Sequence, residues 1–134
     1  MDMTGAPSDF DAEKYLQCLV AVAKADGLTT GAEKEFIENQ ADFFSIDPAP
    51  LWECEPDSII NGLGELSRAT KMLILRDCIL LGCIDGVFDE SERDRILYLT
   101  RAMGIREADF IALESWISEY NAVMAKGKRL LSDD

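Results

Sequence analysis

The chain has 134 residues, which is enough for one domain with a hydrophobic core. It carries 26 acidic and 13 basic residues, a net charge of −13, and no histidine. This charge repels phosphate backbones and argues against a nucleic-acid partner. The lack of histidine excludes Ser-His and Cys-His nucleophile pairs and zinc sites built from histidine. Cations, basic protein surfaces and solvent remain as partners of the acidic surface.

The cysteines and the N-terminus bear on the compartment. No two of the four cysteines form a Cys-x-x-Cys pair, which favours small buried thiols in a reducing compartment over metal or redox roles. The acidic segment 1–11 lacks the basic start and apolar stretch of a signal peptide. No apolar run approaches the length of a membrane span. We therefore expect a cytoplasmic protein that is not embedded in a membrane.

Apolar residues recur at helical spacing along the chain, and no segment shows the alternation typical of a β-strand. Thr30 and Glu33 match a capping box at the start of a helix, and Asp89 with Glu92 matches the same position of a later one. The sequence therefore predicts an all-α fold, a single compact domain of six or seven helices. The predicted helices cover about 11–25, 30–44, 49–54, 57–66, 70–84, 89–103 and 107–125, and the tail 126–134 is expected to fray.

One pattern occurs twice along the chain. Ala25-Asp26-Gly27 is followed by Glu33, and Ile84-Asp85-Gly86 is followed by Glu92, so that both acidic residues recur after 59 positions. In each copy an apolar helix precedes the Asp-Gly and an amphipathic helix follows the Glu. The sequence therefore predicts two pseudo-symmetric helical halves, over about 11–46 and 70–105.

The repeated carboxylates have two interpretations. Asp26 and Asp85 each end a helix, where the macrodipole makes a carboxylate unfavourable by about 0.3–1 kcal/mol, so a compensating interaction is expected. In the structural interpretation each Asp accepts loop amide protons and Glu33 and Glu92 only cap helices. In the functional one, Asp and Glu together bind a hard divalent cation, with calcium or magnesium favoured. The spacing is not that of an EF-hand, and by itself it favours the structural interpretation.

The two Asp-Gly corners, with Met103-Gly104-Ile105 closing the second copy, resemble the TerB-like family of tellurite-resistance proteins. The N-terminal region of the membrane-anchored DnaJ-like co-chaperone is similar. The likeness covers roughly residues 11 to 124. It implies an all-helical fold of two halves, an acidic surface that binds divalent cations, and a role in stress-response or membrane-associated complexes. The positions that match the family's acidic residues are Asp26, Glu33, Asp85 and Glu92.

Together these observations favour a non-enzymatic acidic module that binds a divalent cation at one or both corners. The module would also dock a protein partner, expected to be basic or membrane-associated. The alternative is a pure protein-interaction scaffold or a dimerising module, with corners that are only structural. An enzyme using paired carboxylates and a metal is the least favoured interpretation. Trp52 and Trp116 are expected in the core, and contact with a partner is the alternative.

Overall fold

The computed structural model describes residues 10–25, 27–84 and 88–132. Within these ranges the chain forms six α-helices, two short 3-10 helices and no strand, which confirms the all-α prediction. The helices are α1 (Ala12–Ala23), α2 (Gly31–Phe43), a 3-10 helix (Ala49–Glu53), α3 (Pro56–Ile59), a second 3-10 helix (Leu63–Glu65), α4 (Arg68–Gly82), α5 (Glu90–Ala102) and α6 (Glu107–Leu130). None of these helices combines the length and the apolar content needed to cross a bilayer over the ranges described.

The core is built around α1 and α4, which pack against each other. Helix α1 also contacts α2 and α5, and α4 also contacts α5 and α6. Eight of the twelve residues of α1 are buried, because its sequence is apolar on nearly every side. Helices α1 and α4 therefore share the centre of the core.

A hydrogen bond to the buried carboxylate of Asp77 connects these two central helices. The Tyr15 hydroxyl on α1 donates a 2.6 Å hydrogen bond to Asp77 Oδ2 on α4. Arg76 Nε donates to Asp77 Oδ1 over 2.8 Å, so both oxygens of the buried carboxylate have donors. Burial, together with the charge and hydrogen bond of Asp77, raises the pKa of Tyr15 far above its ordinary range.

The predicted capping box is present in full at the start of α2, and its Asp89 half is present at the start of α5. Thr30 Oγ1 accepts from the Glu33 amide over 3.1 Å, and Glu33 Oε1 accepts from the Thr30 amide over 2.9 Å, which completes the capping box. At α5, Asp89 Oδ1 accepts from the amides of Ser91 and Glu92 over 2.8 and 3.3 Å. These bonds satisfy amide groups of the first turn and fix where each helix begins.

Helices α2 and α5 match in length and in the way they end. Each has 13 residues, and both bounds of α5 lie 59 positions after those of α2. Each ends in a left-handed residue, Ser45 with φ +58° and Gly104 with φ +74°. The next amide then bonds back into the helix, from Ile46 to Ala41 O over 2.9 Å and from Ile105 to Thr100 O over 3.1 Å. Both ends are therefore Schellman motifs.

Two predicted helices differ from those observed. The helix expected over 57–66 is divided into α3 and a 3-10 turn, because Gly62 adopts φ +83° and ends the α-helical path. The last helix was expected to end near Ala125, with 126–134 as a fraying tail. Instead α6 continues to Leu130. Lys128 and Arg129 are good helix formers, and their positive charges lie at the negative end of the helix dipole.

Candidate functional site

Two of the four carboxylates of the predicted cation site belong to the described part of the chain. Glu33 and Glu92 each occupy the third position of a helix, α2 and α5 respectively, and their exposed fractions are 3% and 5%. Asp26 and Asp85 lie outside the described residues.

The first corner is held by hydrogen bonds. Thr29 Oγ1 donates to Ala23 O over 3.1 Å and satisfies a carbonyl in the last turn of α1. The capping box of Thr30 and Glu33 follows directly and uses one oxygen of the Glu33 carboxylate. A carboxylate offers about four lone-pair positions, so the cap bond does not by itself prevent contact with a cation.

The second corner uses apolar packing where the first uses a hydroxyl. Phe88 occupies the position equivalent to Thr29, and Gly82 that equivalent to Ala23, each after 59 positions. A Cβ on Gly82 would lie 2.6 Å from Phe88 Cε1, so the absence of a side chain there lets the ring pack against the end of α4. Where the two corners are described, they differ in the contacts that hold them.

Next to this corner, an ion pair ties α5 to α6. Arg93 Nε and Nη2 donate to the two oxygens of Glu114 over 2.7 and 3.1 Å. The Arg93 guanidinium also lies 5.2 Å from the centre of the Phe110 ring.

Partial burial, and then the carboxylates of Glu114 and Glu92, raise the pKa of the Cys83 thiol. The cysteines lie within the described ranges and are free, and Cys18 and Cys78 are buried in the core.

Metal binding at the corners stays a prediction. Among the described residues, no group of three or more Cys, Asp or Glu side chains lies close enough together to hold a metal ion. Asp26 and Asp85 are not among those residues. The acidic ligands at both corners are of the oxygen type that suits calcium or magnesium.

A second surface, on α6, was not singled out from the sequence. Helix α6 buries Phe110 and Ile117, yet every residue from Ser118 to Leu130 is exposed except the half-buried Gly127. Its 24 residues span about 36 Å, whereas the 15 residues of α4 span about 22 Å. Helix α6 is therefore longer than the helices on which it packs, and its C-terminal half is not covered by any described part of the chain.

Large apolar side chains follow this exposed half. The exposed fractions are 52% for Trp116, 53% for Tyr120 and 67% for Val123. The prediction that Trp116 lies in the core is therefore wrong, because α6 contacts the core through Phe110 and Ile117 instead. Trp52, by contrast, packs half-buried against the core.

These residues belong to one continuous stripe at heptad spacing. The α6 stripe is Leu113, Trp116, Tyr120, Val123, Gly127 and Leu130. Its intervals alternate between three and four residues, which places all six on one face of the helix. Acidic residues flank its first half and basic residues its second. The apolar spacing continues past Ala125. Because the predicted helix ended there, Gly127 and Leu130 were not expected to lie on it.

Two clefts border α6 where it lies against α4. One, of about 260 Å³, is lined by Arg76, Leu80, Trp116, Ile117 and Tyr120. The other, of about 560 Å³, includes Ile79, Ile84, Phe88 and Ser118 in its walls. The first cleft therefore adjoins the α6 stripe through Trp116 and Tyr120, whereas the second lies on another face of α6.

A further cleft of about 400 Å³ opens beside the Tyr15–Asp77 pair and is walled by Phe10 and Phe44, whose ring centres are 5.2 Å apart. Its aromatic walls contact one another, and the Asp77 oxygens at its floor already have donors. This cleft is therefore part of the core packing.

In comparisons with known proteins, no protein-family model, no curated protein and no solved structure matches the chain.

Proposed function

We propose that the chain is a non-enzymatic interaction module whose α6 stripe docks against an amphipathic helix of a protein partner. The observation that carries this proposal is the exposure of Trp116, Tyr120 and Val123 on one helix face. Contiguous exposed apolar residues on a folded protein mark interaction sites, and Trp and Tyr are the side chains most often central to them.

The charges that flank the stripe define the chemistry of the partner. Glu119 lies beside its first half, and Lys126 lies beside its second. A partner helix fits best if it presents basic residues to the first half and acidic residues to the second. Its apolar residues would enter the cleft that Trp116 and Tyr120 line, in the manner of a helix bound in a groove.

The test is site-specific photo-crosslinking in the cells that make the protein. Benzoylphenylalanine is placed at Val123, and at Glu38 on the exposed side of α2 as the matched control. We expect a discrete product from position 123 only, with the crosslinked peptide mapped by mass spectrometry to an amphipathic helix. The product should disappear when Tyr120→Glu is added, because this places a charge in the exposed stripe. Equal products from both positions, or a peptide without an apolar helical face, would contradict the proposal.

Divalent cation binding at the corners is the second candidate function. The observation in its favour is that Glu33 and Glu92 are both buried at the same helical position, each after an Asp-Gly. It agrees with the resemblance to the TerB-like family, from which a stress-response role would follow. Under this proposal the ligands are Asp26 with Glu33 and Asp85 with Glu92, and the cation is calcium or magnesium.

Calorimetric titration of the chelator-treated protein with calcium and with magnesium tests this candidate. Binding heat that is lost in Asp26→Asn or Asp85→Asn would support it, and no heat from either cation would eliminate it. Thermal melts of the same variants separate the structural interpretation. That interpretation predicts destabilisation by about 1 kcal/mol without added metal.

The proposal extends to the two halves of the fold, 11–46 and 70–105, as two copies of one helix–corner–helix unit. The matched bounds of α2 and α5 and the left-handed residues Ser45 and Gly104 support it. The different contacts at Thr29 and Phe88 would then be later specialisations of one corner.

A further inference from the structure

We infer that the helix bound by the α6 stripe is α6 of a second copy of this chain, packed antiparallel about a two-fold axis between Asn121 and Ala122. This inference rests on the proposed function and names its partner. In such an isologous pair every contact occurs twice, so a weak contact contributes double. Three properties of α6, its apolar spacing, its side-chain volumes and its charges, select the same register.

The apolar spacing is symmetric about that axis. Tyr120 and Val123 lie at equal distances on either side of it, and each would face the other residue in the second copy. Leu113 and Leu130 are likewise equidistant from it. An antiparallel heptad pair requires this symmetry, because each stripe position must meet a stripe position of the partner.

The side-chain volumes complement each other in this register. Trp116, the largest residue of the stripe, would face Gly127, the smallest, because the two are equidistant from the same axis. No other heavy atom lies within 4 Å of a Cβ built on Gly127, so the chain itself leaves that space open. A glycine inside a helix destabilises it by about 0.5–1 kcal/mol relative to alanine. Close packing of the Trp116 indole of the second copy against Gly127 would offset this loss.

The flanking charges complement each other in the same register. Glu119 and Lys126 are seven residues apart and lie on one side of the stripe. In an antiparallel pair each flank meets the same flank of the partner, so Glu119 of each copy faces Lys126 of the other. The midpoint of this pair lies one residue from the proposed axis.

The stripe is long enough for a dimer interface. From Leu113 to Leu130 it covers 18 residues, or about 27 Å of helix. The net charge of −13 opposes association. However, the Debye length at physiological salt is about 8 Å, so the repulsion between charges farther than this from the contact is largely screened. Lys126 brings positive charge to the edge of the face where the copies meet.

Sedimentation equilibrium of the full chain tests the inference. We expect a dimer, and about a tenfold or greater rise in its dissociation constant in Glu119→Lys and in Lys126→Glu, because each reversal creates two Lys–Lys or two Glu–Glu contacts. The double variant Glu119→Lys/Lys126→Glu should return to within about threefold of wild type. A monomer at every concentration, or a double variant no tighter than the singles, would overturn the inference. Circular dichroism melts check that these exposed substitutions leave the fold intact.

A zero-length carbodiimide crosslink tests the register. In a mixture of unlabelled and ¹⁵N-labelled protein, we expect a Glu119–Lys126 amide that joins one light and one heavy peptide. Within one helix these residues are about 10 Å apart, too far for a direct amide. A dimer without the mixed-isotope product would refute the antiparallel arrangement. If the photo-crosslink at Val123 instead maps to an amphipathic helix of another protein, the proposed function stands and the second copy is excluded as the partner.

Discussion

The substitution Tyr15→Phe tests whether the buried pair between α1 and α4 stabilises the fold. It removes only the hydroxyl that donates to Asp77 Oδ2 over 2.6 Å, and it leaves the ring in place. The carboxylate oxygen would then stay buried without that donor. Hydrogen bonds to charged groups contribute about 1.5–3 kcal/mol, and we expect a loss of this size in the free energy of unfolding. For a chain of this length the loss corresponds to a fall of about 5–15 °C in Tm.

Urea denaturation at pH 7, followed by far-UV circular dichroism, measures this loss, and an unchanged slope m shows that the unfolded states are comparable. Tyr98→Phe is the matched control, because the Tyr98 hydroxyl donates to Asp57 Oδ1 over 3.0 Å at the surface. Water can replace that bond, so we expect unfolding indistinguishable from wild type.

A double-mutant cycle isolates the pair itself. Asp77→Leu alone leaves the Tyr15 hydroxyl buried without its acceptor, whereas Tyr15→Phe/Asp77→Leu removes both polar groups. We therefore expect the double variant to be more stable than the sum of the single losses predicts, by about 1–3 kcal/mol. Coupling below about 0.5 kcal/mol, or a Tyr15→Phe protein as stable as wild type, would refute the reasoning.

Three further predictions concern pH, thiol reactivity and the helix ends. Because the pKa of Tyr15 is raised in the folded protein, its protonated hydroxyl contributes stability that is present below pH 10 and is lost as the pH rises past 10. Alkaline melts should therefore show a shallower loss of folding stability with pH in Tyr15→Phe than in wild type. Ellman's reagent should react in the native state with the half-buried Cys54 and Cys83, and with all four thiols only after unfolding. Ser45→Gly should stabilise the protein by up to about 1 kcal/mol and Gly104→Ala should destabilise it by about as much, since both positions have positive φ; urea melts showing the reverse order would contradict this.

Much of the fold was predictable because helix boundaries are encoded locally. The capping box of Thr30 and Glu33 and the cap at Asp89 depend on residues two or three positions apart, and both are present as predicted. Even the misplaced end of α6 was a local question, since the residues after Ala125 carry good helix formers and a continuing stripe. The positions of Glu33 and Glu92 in the first turns of α2 and α5 were predictable for the same reason.

What the sequence did not determine depends on contacts between distant segments. Tyr15 and Asp77 are 62 positions apart, and nothing around either residue indicates that one would donate to the other. The exposure of Trp116 depends on the lengths and packing of α4 and α5 against α6, because an amphipathic stripe has the same pattern whether it faces a core or solvent. By itself the sequence determined the helices, their caps and the repeat after 59 residues. Only the tertiary structure decided which apolar face is buried and which is left for a partner, because burial depends on how the helices pack together.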